Sequence, residues 1–388
     1  MASADLPEKR PGDEPFESET EIEDKSGGKG VIGTLRPTTW GAWCEDDLTG
    51  MVVRGIHFMA DKKKVDCAPP IYKLMHADIF KTKKEEDKDR CAHYAANPDS
   101  WAAQRWERLQ AKKAAMAAAA AAAAGDAASA DPASPSPAAS SPSGSPSPAS
   151  SPSHAASHAA TASIALSEDP LAPLIVINFL IPGSGFNMNL VLYFARRIKT
   201  ADTIRKERAA AAAANPGRKQ PAPRPSQPAA AYSAAEFESD EFPHDLERLA
   251  AFDKLLAEFL HGADEWRDCR LKIVPRVAEG NWVVKKSIGR VPAILGKKVK
   301  QFYYRNPDKN YIEIDADLGT SAVAGKIIQL IKGTCKGLVV DLSFLFQGED
   351  RTELPESLIG GVRMIRVDLD KITWRSENNE RNRLEFDV

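Results

Sequence analysis

Two stretches of this 388-residue chain cannot build a core, and they constrain how the rest folds. From Ala111 to Ala160, and again from Ala209 to Ala235, most residues are Ala, Ser or Pro. The first stretch begins as helix. WAAQRWERLQAKKAAMAAAAAAAA, from Trp101, holds the strongest helix formers, and Gly125-Asp126 is its expected end. The Ser-Pro repeats beyond favour extended, solvated chain and offer phosphorylation sites. The second stretch contains NPGRKQPAPRPSQP, basic and with PxxP-like spacing of the kind SH3 grooves accept. The pieces on either side are too small to fold alone. Long surface loops cost little, because closure entropy grows only logarithmically with length. The expectation is one domain over residues 34–370, interrupted by disordered low-complexity inserts at 111–165 and 209–235. A disordered acidic segment, 1–33, precedes it and a tail, 371–388, follows.

Charge narrows the function classes. Lys and Arg number 52 against 54 Asp and Glu, a formal charge of −2, which lacks the basic excess of a general nucleic-acid binder. No run approaches the roughly 20 apolar residues a bilayer span requires. The N-terminus carries Glu8, Asp13, Glu14, Glu17, Glu19, Glu21 and Glu23 without an apolar run, unlike a secretory signal. Cys44, Cys67, Cys91, Cys269 and Cys335 are widely spaced and read as reduced thiols. The expected location is the cytoplasm, with peripheral membrane contact left open and no transmembrane segment.

Apolar periodicity favours strands. MVVRGIHFM (51–59) is β-rich, and IYKLMHADIF (71–80) follows a Pro69-Pro70 breaker. LIVINFLI (174–181) is apolar on both faces, as in a central strand, and pairs across Pro182–Gly185 with MNLVLYFARR. LKIVPRV and WVVKKSI, separated by Glu279-Gly280, read as a further hairpin, as do KKVKQFYY with NYIEIDADL, and the strands LVVDLSFLF and VRMIRVDL close the chain. PHDLERLAAFDKLLAEFLHG places Leu249, Phe252, Leu256 and Phe259 on one helical face, with Pro243 in its first turn and Gly262 as stop. SAVAGKIIQLIKG is a second helix, capped by Thr320 or Ser321 and stopped at Gly333, and LPESLIG opens a short turn near Pro355. The fold class is α+β: a largely antiparallel sheet of successive hairpins covered by a few helices.

Catalytic signatures are missing. Gly289…Gly296-Lys297 and Gly319…Gly325-Lys326 lack phosphate-loop spacing, and Lys298 and Ile327 stand where Ser or Thr would bind magnesium. Cys91-x-His93 has no second metal pair nearby. Glu313, Asp315 and Asp317 share one strand face and could hold calcium. Pairing Tyr304 with Tyr311 instead puts Lys300 opposite Asp315 and Lys298 opposite Asp317, an opposite-charge ladder, which is the preferred reading. Basic and aromatic residues mix from Arg270 to Tyr304, which suits an anionic headgroup and equally suits a solvated sheet face.

Several ordered blocks resemble one family. TTWGAWCEDDLTGMVVRGIHFMADKKKV, the LIVINFLIPG…VLYF hairpin, and the long run from HGADEWRDCRLKIVPRVAEGNWVVKK through YIEIDADLGTS to LPESLIGGVRMIRVDLDKI are similar to the plant ENHANCED DISEASE RESISTANCE 2 C-terminal domain family. The resemblance covers roughly residues 34–370 apart from the inserts. That family's domain commonly follows pleckstrin-homology and lipid-transfer START domains, for which no room is expected upstream here, and it is linked to control of defence and cell death. Where the family pattern resembles GDDEFRN, this chain reads GADEWRD, with Ala263 for an acid, and NPDK lengthens the turn after Tyr304.

The resemblance implies no catalytic residues and no cofactor or metal. It leads to a non-enzymatic lipid-associated regulatory domain. The candidate contacts to lipid or anion are Arg270, Lys272, Trp282, Lys285 and Tyr303, and the expected partner is a lipid or anionic membrane surface, with no nucleic acid. The alternative is a protein–protein interaction or scaffold module in defence or cell-death signalling.

Overall fold

In the computed structural model the described residues are 35–46, 48, 50–84, 94–128, 173–214, 245–288 and 291–375. Cys91, His93, Pro243 and Gly289 lie outside them, as do most of both inserts. The chain runs through β1 (Arg36–Thr38), β2 (Gly41–Glu45), β3 (Val52–Arg54), α1 (Phe58–Asp61), β4 (Lys64–Asp66), β5 (Tyr72–Lys83) and α2 (Trp101–Ala128). Next come β6 (Leu174–Pro182), β7 (Phe186–Arg196), α3 (Ala201–Ala214), α4 (Leu246–His261), α5 (Asp264–Arg267), β8 (Leu271–Glu279), α6 (Trp282–Ile288) and β9 (Ala293–Ile294). The last elements are β10 (Lys300–Asn306), β11 (Tyr311–Asp317), α7 (Ala322–Lys332), β12 (Val339–Phe346) and β13 (Leu358–Ile365).

Alternation along these strands builds two sheets rather than one. One has the order β10-β11-β6-β7-β5, the other β1-β2-β13-β12-β8-β9, and β3-β4 form a separate two-stranded finger. All pairs are antiparallel except β11–β6, which is parallel. Every second residue of the central strands points into one shared core: Ile175, Ile177 and Phe179 from β6, Leu192 and Phe194 from β7, Ile312 and Ile314 from β11, Phe344 and Phe346 from β12. Helix α4 adds Leu249, Phe252, Leu255, Leu256 and Phe259 to it, and rings of Phe252 and Phe259 lie 5.6 and 4.8 Å from Phe346. A fully buried Leu or Phe contributes roughly 1.5–3 kcal/mol, so this face fixes α4 in place. Asp245 caps it, accepting from the Glu247 and Arg248 N–H groups, and Gly262 ends it. The other face of β6 is buried too, under Tyr94, Ala95, Trp101 and Ala102 at the start of α2.

Several expectations are corrected. WVVKKSI is helix α6, not a return strand. Asn281 Oδ1 accepts the Val284 N–H at 3.0 Å, and this N-cap together with Gly280 at φ 152° overrides the β-propensity of the valines. MVVRGIHFM is strand only at β3 and then turns into α1. The turn expected at LPESLIG comes earlier, as a 3-10 turn at Arg351–Glu353, and Leu358 already begins β13. Helix α2 runs past Gly125 and Asp126 to Ala128, and α3 carries the start of the second insert as helix to Ala214.

The carboxylate ladder is also corrected. The β10–β11 loop is shorter than the expected pairing requires: Asn306 pairs with Tyr311, which puts Tyr304 opposite Glu313, Phe302 opposite Asp315 and Lys300 opposite Asp317. Lys300 then lies 4.9 Å from the centre of the Phe302 ring, and Lys298 falls outside the strand. Glu313 is buried, and its two oxygens accept the N–H groups of Tyr94 at 3.0 Å and Ala95 at 2.7 Å. Burial first, and the neighbouring Asp315 charge second, hold its carboxyl well above the usual range.

Candidate functional site

The five candidate contacts do not meet at one place. Arg270 is buried and donates to Glu353 at 2.8 Å and to the Gln347 carbonyl at 3.0 Å, with its guanidinium 4.5 Å from the Trp266 ring centre. The Tyr303 hydroxyl donates to Asp268 at 2.8 Å, and burial pushes its pKa upward. Arg270 thus ties α5 to the β12–β13 connection, and Tyr303 ties β10 to Asp268 just after α5. Trp282 and Lys285 are exposed on α6, Trp282 to 73%. Lys272 lines a cleft.

That cleft, of about 180 Å³, lies between the β3–β4 finger and the outer face of β8, β9 and β12. Val52, Phe58, Val274, Pro292, Ile294 and Leu345 supply apolar walls, and Arg54, Lys64, Lys272, Gln347 and Glu356 supply polar ones. Alternation explains the placement of Lys272: Leu271 and Ile273 point into the main core, so Lys272 and Val274 must point outward. Glu356 is the counter-charge. It accepts Lys272 Nζ at 2.7 Å, the Arg54 N–H at 3.1 Å and the Gly348 N–H at 3.3 Å. The Arg54 guanidinium donates to the Gly348 carbonyl at 2.7 Å and lies 4.8 Å from the Phe58 ring centre. Burial lowers the Lys272 pKa, and Arg54 and Lys64 push the same way against the pull of Glu356.

The finger itself went unread in the sequence. Val52, Ile56 and Val65 are exposed on it to 44%, 42% and 47%, beside exposed Lys62, Lys63 and Lys64. The signal was present as the lysine run of ADKKKV after VVRGI, masked because β-propensity alone assigned 51–59 to a plain strand. Lys62 turns the chain at φ 57° and rests 5.6 Å from the Phe58 ring centre.

The family model described as Protein ENHANCED DISEASE RESISTANCE 2, C-terminal, matches residues 43–123 and 141–368. The chain belongs to this family. A curated Arabidopsis thaliana relative, Protein ENHANCED DISEASE RESISTANCE 2-like, is 45% identical over 115 residues, which is 30% of this chain and 16% of the relative. No solved structure matches the chain. Within this ENHANCED DISEASE RESISTANCE 2 C-terminal domain, Ala263 is the N-cap of α5 and makes no side-chain cap bond. Among the described residues no helix is long and apolar enough to cross a membrane, and no group of three His, Cys, Asp or Glu side chains could hold a metal ion.

Proposed function

We propose that this domain is a non-enzymatic, lipid-associated regulatory module that settles on anionic lipid surfaces, on the cytoplasmic side, through its β3–β4 finger. The observation that carries the reading is the finger's composition: exposed Val52, Ile56 and Val65 together with three consecutive exposed lysines. Aliphatic groups enter the interfacial zone of a bilayer while the ammonium groups meet anionic headgroups. Each lysine near such a surface contributes about 1 kcal/mol. Replacing Lys62, Lys63 and Lys64 by Gln should therefore weaken binding by about 3 kcal/mol, on the order of 100-fold. Co-sedimentation with phosphatidylglycerol-containing vesicles measures this, and added salt should weaken the wild type because the attraction is screened. Wild-type protein that stays in the supernatant at low salt ends the reading.

A protein-interaction or scaffold role is the second reading, supported by a different surface. Helix α6 exposes Trp282 and Val283 beside Lys285 and Lys286 while the core between the sheets is filled by side chains, the pattern of a docking patch for an acidic partner. Lys285→Glu with Lys286→Glu should leave vesicle binding largely intact if the finger carries it.

A further inference from the structure

We propose that the cleft at Lys272 is a subsite for a phosphate monoester. This deepens the lipid reading in one respect only, since the phosphate can be carried by a lipid headgroup or by a soluble ester. Three observations converge on an anion. Arg54 and Lys64 are direct cross-strand partners in the finger, and like charges placed opposite one another destabilise a hairpin unless something neutralises them. Lys272, almost fully buried, faces the same space, so three cations share the single carboxylate of Glu356. An ammonium has three N–H donors, and among the described residues Glu356 alone accepts from this one. The cleft thus presents unspent donors and an excess of two positive charges.

A phosphate monoester fits both counts. It carries close to two negative charges at neutral pH and three terminal oxygens able to accept charge-assisted hydrogen bonds. A diester offers one charge and fewer terminal oxygens. Size sets the rest. At about 180 Å³ the cleft is below the several hundred cubic ångströms of a typical small-molecule pocket, so it takes a headgroup phosphate and not acyl chains. The apolar wall of Val52, Phe58 and Ile294 meets the carbon atoms next to the ester oxygen. The site is therefore one for recognition at a surface and not for carrying a lipid inside.

The test uses the full chain and two phosphate sources. Vesicles containing phosphatidic acid, a monoester, are compared with phosphatidylglycerol vesicles of matched surface charge, and glycerol 3-phosphate is titrated separately by calorimetry. The expected result is a preference for phosphatidic acid of about tenfold or more, the size of a few charge-assisted hydrogen bonds. Competition by glycerol 3-phosphate should reduce it. Lys64→Gln and Lys272→Gln should abolish the preference, whereas Lys62→Gln and Lys63→Gln should weaken both vesicle types alike. If Lys272→Gln does not fold, the exposed Lys64→Gln carries the result alone. Equal binding to both vesicle types with no glycerol 3-phosphate heat overturns the subsite while leaving the lipid reading standing. Glycerol 3-phosphate binding lost in Lys64→Gln, without vesicle binding, keeps the subsite and removes the lipid reading. A phosphatidic acid preference that survives both substitutions also overturns the subsite.

Discussion

On the outer face of the five-stranded sheet, Glu313 accepts from the Tyr94 and Ala95 N–H groups with buried Asp315 beside it, while Asp78 joins His76 at 3.0 Å and Tyr193 at 3.3 Å. Trp101 stacks on His76 with 5.3 Å between ring centres and closes the layer. On the outer face of the six-stranded sheet, Asp341 accepts from Arg363 at 2.7 Å and from Arg276 at 2.6 Å, and Asp46 pairs with the same two arginines. That network balances its own charge, but four residues back along β8 the face opens at Lys272 under a finger of short strands. Both faces bury titratable groups. Among the described residues, Lys272 on the second face lines a cleft with Glu356 as the acceptor of its ammonium. Burial of charge is therefore a poor mark of a binding surface, and surplus donors beside a cleft are a better one.

The contrast can be broken by mutation. Trp101→Ala should cost about 3–5 kcal/mol in urea unfolding, because the ring is nearly fully buried against His76 and Tyr193. Phe58→Ala in the finger should cost about 1 kcal/mol. Equal losses would show that the finger is as firmly packed a lid as α2. Arg270→Ala should cost about 3 kcal/mol, since buried Glu353 would lose its 2.8 Å ion pair and keep Lys254 only at 3.9 Å. Lys272→Gln should cost about 1 kcal/mol, because an amide still donates to Glu356.

A smaller effect concerns pH. The Glu313 carboxyl is held above its ordinary value of 4.5 in the fold, so the native state binds more protons than the unfolded one. Its contribution is full below that value and is lost as pH rises through the raised folded value. Asp315→Asn removes the like charge. The variant should melt higher than wild type near pH 8 and converge with it near pH 5 in thermal scans. A parallel pair of melting curves would show that the two carboxyls do not sense each other.

What could be read from the sequence was local. The β6–β7 and β10–β11 hairpins follow from alternation around short turns, α4 from its apolar stripe, and α7 from Ser321 as an N-cap candidate and Gly333 as its stop, whereas β12 and β13 pair across residues 347–357. Division into two sheets was not legible, because side-chain alternation is the same in one sheet or two. The β10–β11 register missed by two residues, a slip that preserves the face of every side chain and so leaves no apolar signature. The cleft was legible only through Lys272. Its other cations are Arg54 and Lys64, more than 200 positions earlier in the chain, and only the folded sheet brings them together.

The parallel contact of β6 with β11 has a consequence during synthesis. Strand β6 is buried on both faces, and one of its edges is satisfied at once by β7, a hairpin neighbour. The other edge waits for Tyr311–Asp317, which leave the ribosome more than 100 residues later. At roughly 5–20 residues per second, that apolar edge stands unpaired for on the order of ten seconds. A nascent chain stalled before residue 311 presents a ready template for intermolecular strand addition, so partner chaperones have most to shield in the middle of translation rather than at its end.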